Sequence, residues 1–159
     1  MGKRLKRKLI GRKQFEGRID ITDPCYDRDV WCRMSADVKP GLYDCRIWRY
    51  EETVEFDGKT FNDECVGTIG IYLNGEIPPQ GAMKVIGEIG VDAGMAGFFM
   101  DKPDYTDEQW HNLCESLGTK NAWILPEGFF SSSGYGDGGY PVYAYEEDGE
   151  IVALEIRFI

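Results

Sequence analysis

The chain has 159 residues, of which 42% are hydrophobic and 13% aromatic, and a formal net charge of −10. That length suits one well-cored domain and is short for two, and the apolar content excludes a disordered chain. No stretch is long and apolar enough to span a membrane as a helix, so no membrane partner is expected, and the acidic balance excludes general attraction to nucleic-acid phosphates.

The charge is uneven. Residues 1–13 carry seven of the 18 basic groups (Lys3, Arg4, Lys6, Arg7, Lys8, Arg12 and Lys13) and no acid. The rest of the chain sets eleven basic groups against 28 acids, a balance of −17. The expectation is a flexible basic N-terminal arm over 1–13 and a single domain over 14–159. Nucleic acid is expected at the arm alone, whereas the acidic body suits a basic protein surface. No apolar run with a small-residue cleavage site follows the basic start, so no signal peptide is expected. Five cysteines, an odd number, then read as reduced thiols in a cytoplasmic protein.

In chain order, residues 17–22 read as a short strand that runs into Asp23-Pro24. Asp23, Asp27 and Asp29 crowd a loop flanked by Cys25 and Cys32. An Asx turn at Asp23 explains this loop. Six residues between the cysteines, with no second ligand pair, fit structural zinc poorly. Pro40-Gly41 reads as a turn before a strand over 42–54. Tyr43, Cys45, Ile47 and Arg49 share one face of that strand, with Leu42, Asp44, Arg46, Trp48 and Tyr50 on the other. Neither face is purely apolar, so an outer strand is expected. Asp57-Gly58 is a hairpin signal, residues 59–61 begin the return, and 66–73 form a strand ended by Asn74-Gly75.

Pro78-Pro79-Gln80-Gly81 reads as a loop. Residues 83–91 and 96–100 read as strands around Asp92-Ala93-Gly94, and glycines 87, 90, 94 and 97 point to bulges or close backbone approach. One helix is expected over 107–117. Thr106 and Gln109 form a capping box, and Asp107 and Glu108 lie in the first turn. Trp110, Leu113, Cys114 and Leu117 make an apolar stripe, and Gly118 is the stop. Residues 121–125 and 129–133 read as extended.

The densest run of special backbone chemistry follows, Gly134-Tyr135-Gly136-Asp137-Gly138-Gly139-Tyr140-Pro141-Val142-Tyr143. Its glycines allow positive φ and close approach of a ligand, and Asp137 among them suits an Asx turn or a cation. It lacks the spacing of a dinucleotide fingerprint and leads into a strand. Asp148-Gly149 is a hairpin signal. In the last strand, over 151–158, Val152, Leu154, Ile156 and Phe158 share one face, and Glu155 and Arg157 point to solvent. The whole reads as a mainly β, antiparallel domain, a sandwich or partly open barrel with one packed helix.

Two function classes fit. The first is a soluble, non-enzymatic binding protein for a small molecule or a basic protein surface. Its site would comprise Asp92, Gly94, Gly136, Asp137 and Tyr140, with Tyr135, Tyr140, Trp48 and Trp123 lining a groove. An acidic inhibitor of a host or phage system is one form of it. The second is a metal-dependent hydrolase in which Asp23, Asp92 and Asp137, all beside Pro or Gly, converge on Mg²⁺ or Ca²⁺. No other cofactor is implied. Nucleophilic catalysis fits poorly. His111 is the only histidine and reads as a surface residue. Cys114 belongs to the apolar stripe and is expected buried and inert, and Ser131-Ser132-Ser133-Gly134 lacks a nucleophile elbow.

The chain resembles a domain-of-unknown-function family, DUF 4241, from about residue 17 onward. The resemblance rests on Asp23-Pro24, Gly41-Leu42-Tyr43, and Val91-Asp92-Ala93-Gly94 followed by residues 96–99. Its most specific part is Ser133-Gly134-Tyr135-Gly136-Asp137-Gly138-Gly139-Tyr140-Pro141-Val142, followed by Asp148-Gly149 and an apolar last strand. The basic arm and the Cys25/Cys32 pair stand outside it. The resemblance implies a compact, mainly β domain and draws attention to Asp92 and Asp137; it supplies no reaction.

Overall fold

The computed structural model describes residues 4–27, 30, 32–79, 81–118, 121–134 and 136–158, with the backbone alone described at 4, 5, 51–54 and 61–64. Asp29 and Tyr135, both singled out above, lie outside the described residues. The elements are β1 (Arg4–Thr22), β2 (Met34–Phe56), β3 (Lys59–Leu73), β4 (Lys84–Val91), β5 (Met95–Phe99), α1 (Asp107–Leu117), β6 (Ala122–Leu125), β7 (Gly128–Ser132), β8 (Gly138–Glu147) and β9 (Glu150–Arg157). Among the described residues the protein is mainly β with one helix, as expected, and nine strands form one large sheet, not closed into a barrel, in the order β4-β8-β9-β3-β2-β1-β5-β7-β6. All ladders are antiparallel except a single parallel pair, Val38 with Ile151. No helix among the described residues is long and apolar enough to cross a membrane.

Alternation builds the core. Tyr43, Cys45 and Ile47 of β2, Ile69 and Ile71 of β3, and Leu154 and Ile156 of β9 are buried on one face of the sheet. β5 is buried on both faces. Ala96 and Phe98 enter the main core, while Met95 and Phe99 join Phe130 of β7 beneath Leu113 and Leu117 of α1. The helix has the bounds and capping box expected of it. Thr106 Oγ1 accepts from Gln109 N at 3.2 Å, Thr106 N donates to Gln109 Oε1 at 2.9 Å, and Gly118 N donates to Cys114 O at 3.0 Å.

Three expectations are corrected. Residues 4–13 are no free arm; they are the first half of β1, paired with β2 from Arg4–Glu51 to Lys13–Tyr43. The strand expected at the outside of the sheet is β2, which lies between β1 and β3. Its mixed outward face misled because that face carries buried polar groups rather than open solvent. Pro40-Gly41 lies inside β2. The ladder slips by one residue between Phe15–Gly41 and Gly17–Val38, and that bulge accommodates the donor that Pro40 lacks.

The Asp57-Gly58 and Asp148-Gly149 turns have φ of 52° and 71°, and of 53° and 81°, the positive pair that a primed hairpin turn requires. Asn74-Gly75 shares this signature but redirects the chain. Asn74 N donates to Leu42 O at 2.9 Å, and the chain continues through 76–83 to the far edge strand β4.

Candidate functional site

The acids singled out by sequence sit around the β4–β5 turn. Asp23 is fully buried; its Oδ1 accepts from Cys25 N at 2.9 Å, and its Oδ2 accepts from Asp92 N at 2.9 Å and Ala93 N at 2.7 Å. It therefore closes an Asx turn and pins the β4–β5 turn through backbone N–H groups. Asp92 follows, and Asp137 precedes, the last β4–β8 pair, Val91–Gly138, and both are exposed. Among the described residues no group of three or more His, Cys, Asp or Glu is placed to hold a metal ion. Gly94, Gly136 and Tyr140 do meet, through Ser133. Gly94 O accepts from Ser133 N at 2.9 Å, and Gly136 O accepts from Ser133 Oγ and Tyr140 Oη, each at 2.7 Å. Tyr140 is buried edge-on against Phe158, with ring centroids 5.0 Å apart, so its ring serves the core.

The nucleophile candidates are muted. Burial, then the Asp23 charge, pushes the Cys25 thiol up to about 12, and burial raises the half-buried Cys114. His111 Nε2 lies 3.1 Å from Glu115 Oε1 on the exposed side of α1. The aromatic residues expected in one groove are dispersed. Trp123 lines a cavity of about 410 Å³ beside Lys8 and Leu9. Trp48 lies on the opposite flank of β1 and β2, at the site described next.

The face of β2, β3 and β9 turned away from the core carries a buried polar layer. Register places Trp48 beside Thr68, Thr68 beside Arg157, and Gly70 beside Glu155. Trp48 Nε1 donates to Tyr72 Oη at 2.9 Å, and Tyr72 Oη donates to Glu155 Oε2 at 2.6 Å. Arg157 Nε donates to Glu155 Oε1 at 2.9 Å, and its guanidinium carbon lies 3.6 Å from the Tyr143 ring centroid. Tyr72 is fully buried and Glu155 is 7% exposed. Burial, and then the Glu155 charge, holds the Tyr72 phenol well above its ordinary pKa, so it stays a donor. Gly70 makes the arrangement possible, because a Cβ there would collide with the Tyr72 hydroxyl.

Above this layer lies a cavity of about 470 Å³. Trp48, Tyr50, Thr68, Glu155 and Arg157 line it from the strands, and Ile77, Pro78, Pro79, Gly81 and Met83 from the segment joining β3 to β4. Glu155 and Arg157 were expected in solvent. Alternation names a face but does not say what crosses it, and the 77–83 segment crosses this one. The available signal was the outward aromatics on neighbouring strands, Trp48, Tyr72 and Tyr143, a surplus for an open face.

A second polar knot on the same face explains part of the basic segment. Asp44 Oδ1 accepts from Arg12 Nε and its Oδ2 from Arg46 Nη2, each at 2.9 Å. Lys13 Nζ donates to Pro126 O at 2.6 Å. Sequence also gave no sign of Lys102, which is 1% exposed. Its Nζ donates to Tyr26 O and Pro103 O at 3.2 and 3.0 Å, clipping the loop after Asp23 to the one before α1.

No protein-family model, no curated protein and no solved structure matches the chain.

Proposed function

We propose that the protein binds a small organic molecule in the cavity between the outer face of β2, β3 and β9 and the 77–83 segment. One observation carries this reading: a hydrogen-bonded Trp48–Tyr72–Glu155–Arg157 chain, buried at Tyr72 and Glu155, borders a cavity of about 470 Å³ whose other walls include Tyr50, Ile77, Pro78, Pro79 and Met83. Small-molecule sites combine apolar walls with a few fixed polar groups, in volumes of roughly 300–1,000 Å³. Burying a carboxylate requires partners, and a satisfied network holds its side chains rigid, which is what a preformed site needs. The hydrolase reading draws no such support, since both Asp23 oxygens accept backbone N–H groups. A thermal-shift screen of neutral and charged metabolites on wild type and Trp48→Leu tests the reading. A ligand that stabilises wild type by mass action and not the variant supports it; stabilisation undiminished in Trp48→Leu contradicts it.

A second reading has its own observation. Past the Arg4–Glu51 pair the β2–β3 hairpin continues, among the described residues, as a two-stranded ribbon. Its sequence holds Glu51, Glu52, Glu55, Asp57, Asp63 and Glu64 against Lys59, and Phe56 at its turn is 73% exposed. Such a hairpin suits a basic protein surface with an apolar socket, the form an acidic inhibitor would take. Loss of a candidate partner's binding in Phe56→Ser, with stability unchanged, supports this; binding insensitive to both Phe56→Ser and salt contradicts it.

A further inference from the structure

We infer that the ligand of the Trp48 cavity is a planar aromatic or heteroaromatic carboxylate, its ring held among Trp48, Tyr50, Pro78, Pro79 and Met83 and its carboxylate read by Arg157. The inference rests on the cavity being the binding site and adds the ligand's chemical class.

The sign of the ligand's charge follows from hydrogen-bond capacity. Glu155 and Arg157 are the charged residues in the lining. Each Glu155 oxygen already accepts a bond, from Tyr72 Oη and from Arg157 Nε, and the carboxylate is almost wholly covered. It is therefore poorly placed to recognise a ligand cation. Among the described residues Arg157 donates to the protein through Nε, and its two terminal nitrogens make no hydrogen bond. Those two N–H edges form the fork that matches a carboxylate bidentately.

The fork is also held still. Glu155 fixes one edge of the guanidinium, and the Tyr143 ring lies 3.6 Å from its central carbon. A pinned arginine loses less rotamer entropy on binding than a free one. In the lining Arg157 and Glu155 offset each other, and the Arg7 guanidinium lies 5.8 Å from the centroid of the Trp48 ring, a second cation beside the cavity.

The ring follows from the remaining walls. Trp48 and Tyr50 offer flat faces, Pro78 and Pro79 flat apolar edges, Met83 a polarizable sulfur, and Ile77 and Thr68 smaller contacts at the side. Stacking and sulfur–aromatic contacts favour a planar π-system over a branched aliphatic chain of equal volume. A volume of about 470 Å³ accommodates one or two fused rings with the acid group.

Calorimetric titration of the full chain with three acid–amide pairs tests this: benzoate and benzamide, nicotinate and nicotinamide, indole-3-carboxylate and indole-3-carboxamide. At least one acid should bind wild type about tenfold or more tighter than its amide, a difference of about 1.4 kcal/mol. That preference should vanish in Arg157→Gln and shrink in Arg157→Lys, which keeps the charge but loses the fork. Amides that bind wild type as well as the acids overturn the inferred class and leave the cavity reading standing. Failure of every acid and amide to bind wild type overturns the class; the cavity reading then stands or falls with the metabolite screen on Trp48→Leu. An acid preference undiminished in Arg157→Gln overturns the role given to Arg157. The wild-type comparison decides the class even where a variant folds poorly.

Discussion

Tyr72 Oη donates to Glu155 Oε2 across 2.6 Å, joining β3 to β9 on the side of the sheet away from the core. Trp48 of β2 donates to the same hydroxyl, so one phenol ties three strands together. Tyr72→Phe removes the hydroxyl and leaves the half-buried Trp48 indole N–H and a buried Glu155 oxygen without it. The expected cost is about 1–3 kcal/mol in urea denaturation, with the far-ultraviolet spectrum unchanged. A double-mutant cycle with Glu155→Gln should show coupling of about 0.5–3 kcal/mol, because the two side chains are in direct contact.

Gly70→Ala should destabilise by about 1–3 kcal/mol, although alanine is the mildest replacement available. The new methyl occupies the space of the Tyr72 hydroxyl and ring, so the tyrosine must leave its partners. Chemical denaturation reads the cost. Combining Gly70→Ala with Tyr72→Phe should cost less than the sum of the two single changes.

The two conspicuous aspartates should behave oppositely. Asp23 is buried and accepts three backbone bonds, so Asp23→Ala should cost at least about 1–3 kcal/mol. Asp137 is exposed in its loop, and Asp137→Ala should stay within about 0.5 kcal/mol of wild type. Melting temperatures of the pair check this. Equal losses would mean that Asp137 has a structural role which its exposure hides.

Stability should fall at alkaline pH partly through Cys45. Burial raises its thiol from 9.0 to about 12. The folded protein therefore keeps the proton where the unfolded chain releases it. The resulting stabilisation is complete below pH 9 and is lost as pH rises from 9 toward 12. Within that window Cys45→Ala should reduce the slope of stability against pH by up to about 1.4 kcal/mol per unit. Urea denaturation at pH 8, 9, 10 and 10.5 measures the difference. Equal slopes in wild type and variant would contradict it.

The parts of the fold fixed by local chemistry were legible in the sequence. Thr106 and Gln109 announced the helix start, Gly118 its end, and Asp57-Gly58 and Asp148-Gly149 their hairpins, because caps and positive-φ turns depend on adjacent residues. The alternation of Tyr43, Cys45 and Ile47 grouped three residues that the structure buries together, but Arg49 on the same face hid that this is the core side. What failed depends on residues distant in sequence. Arg4 to Lys13 look like a free arm until β2 pairs with them, and β2 looks peripheral until the polar partners of Asp44, Trp48 and Tyr72 are placed. The proposed cavity was illegible for the same reason. Asp23 and the Asp137 loop advertise themselves through glycine and proline, which are also the marks of turns. Trp48, Tyr72, Glu155 and Arg157 span more than a hundred positions and meet only through the β2–β3–β9 register.

The most direct test is a ¹H–¹⁵N correlation spectrum of the full chain, titrated with indole-3-carboxylate and with the strongest ligand from the metabolite screen. The Trp48 indole resonance is assigned by its loss in Trp48→Phe. The account predicts that the largest shifts fall on the Trp48 Nε1–H, the Arg157 Nε–H, and the amides of Thr68 and Met83. Shifts concentrated at Asp92, Gly94, Gly136 and Asp137, with the Trp48 resonance unmoved, would contradict it and return the site to the glycine-rich loops.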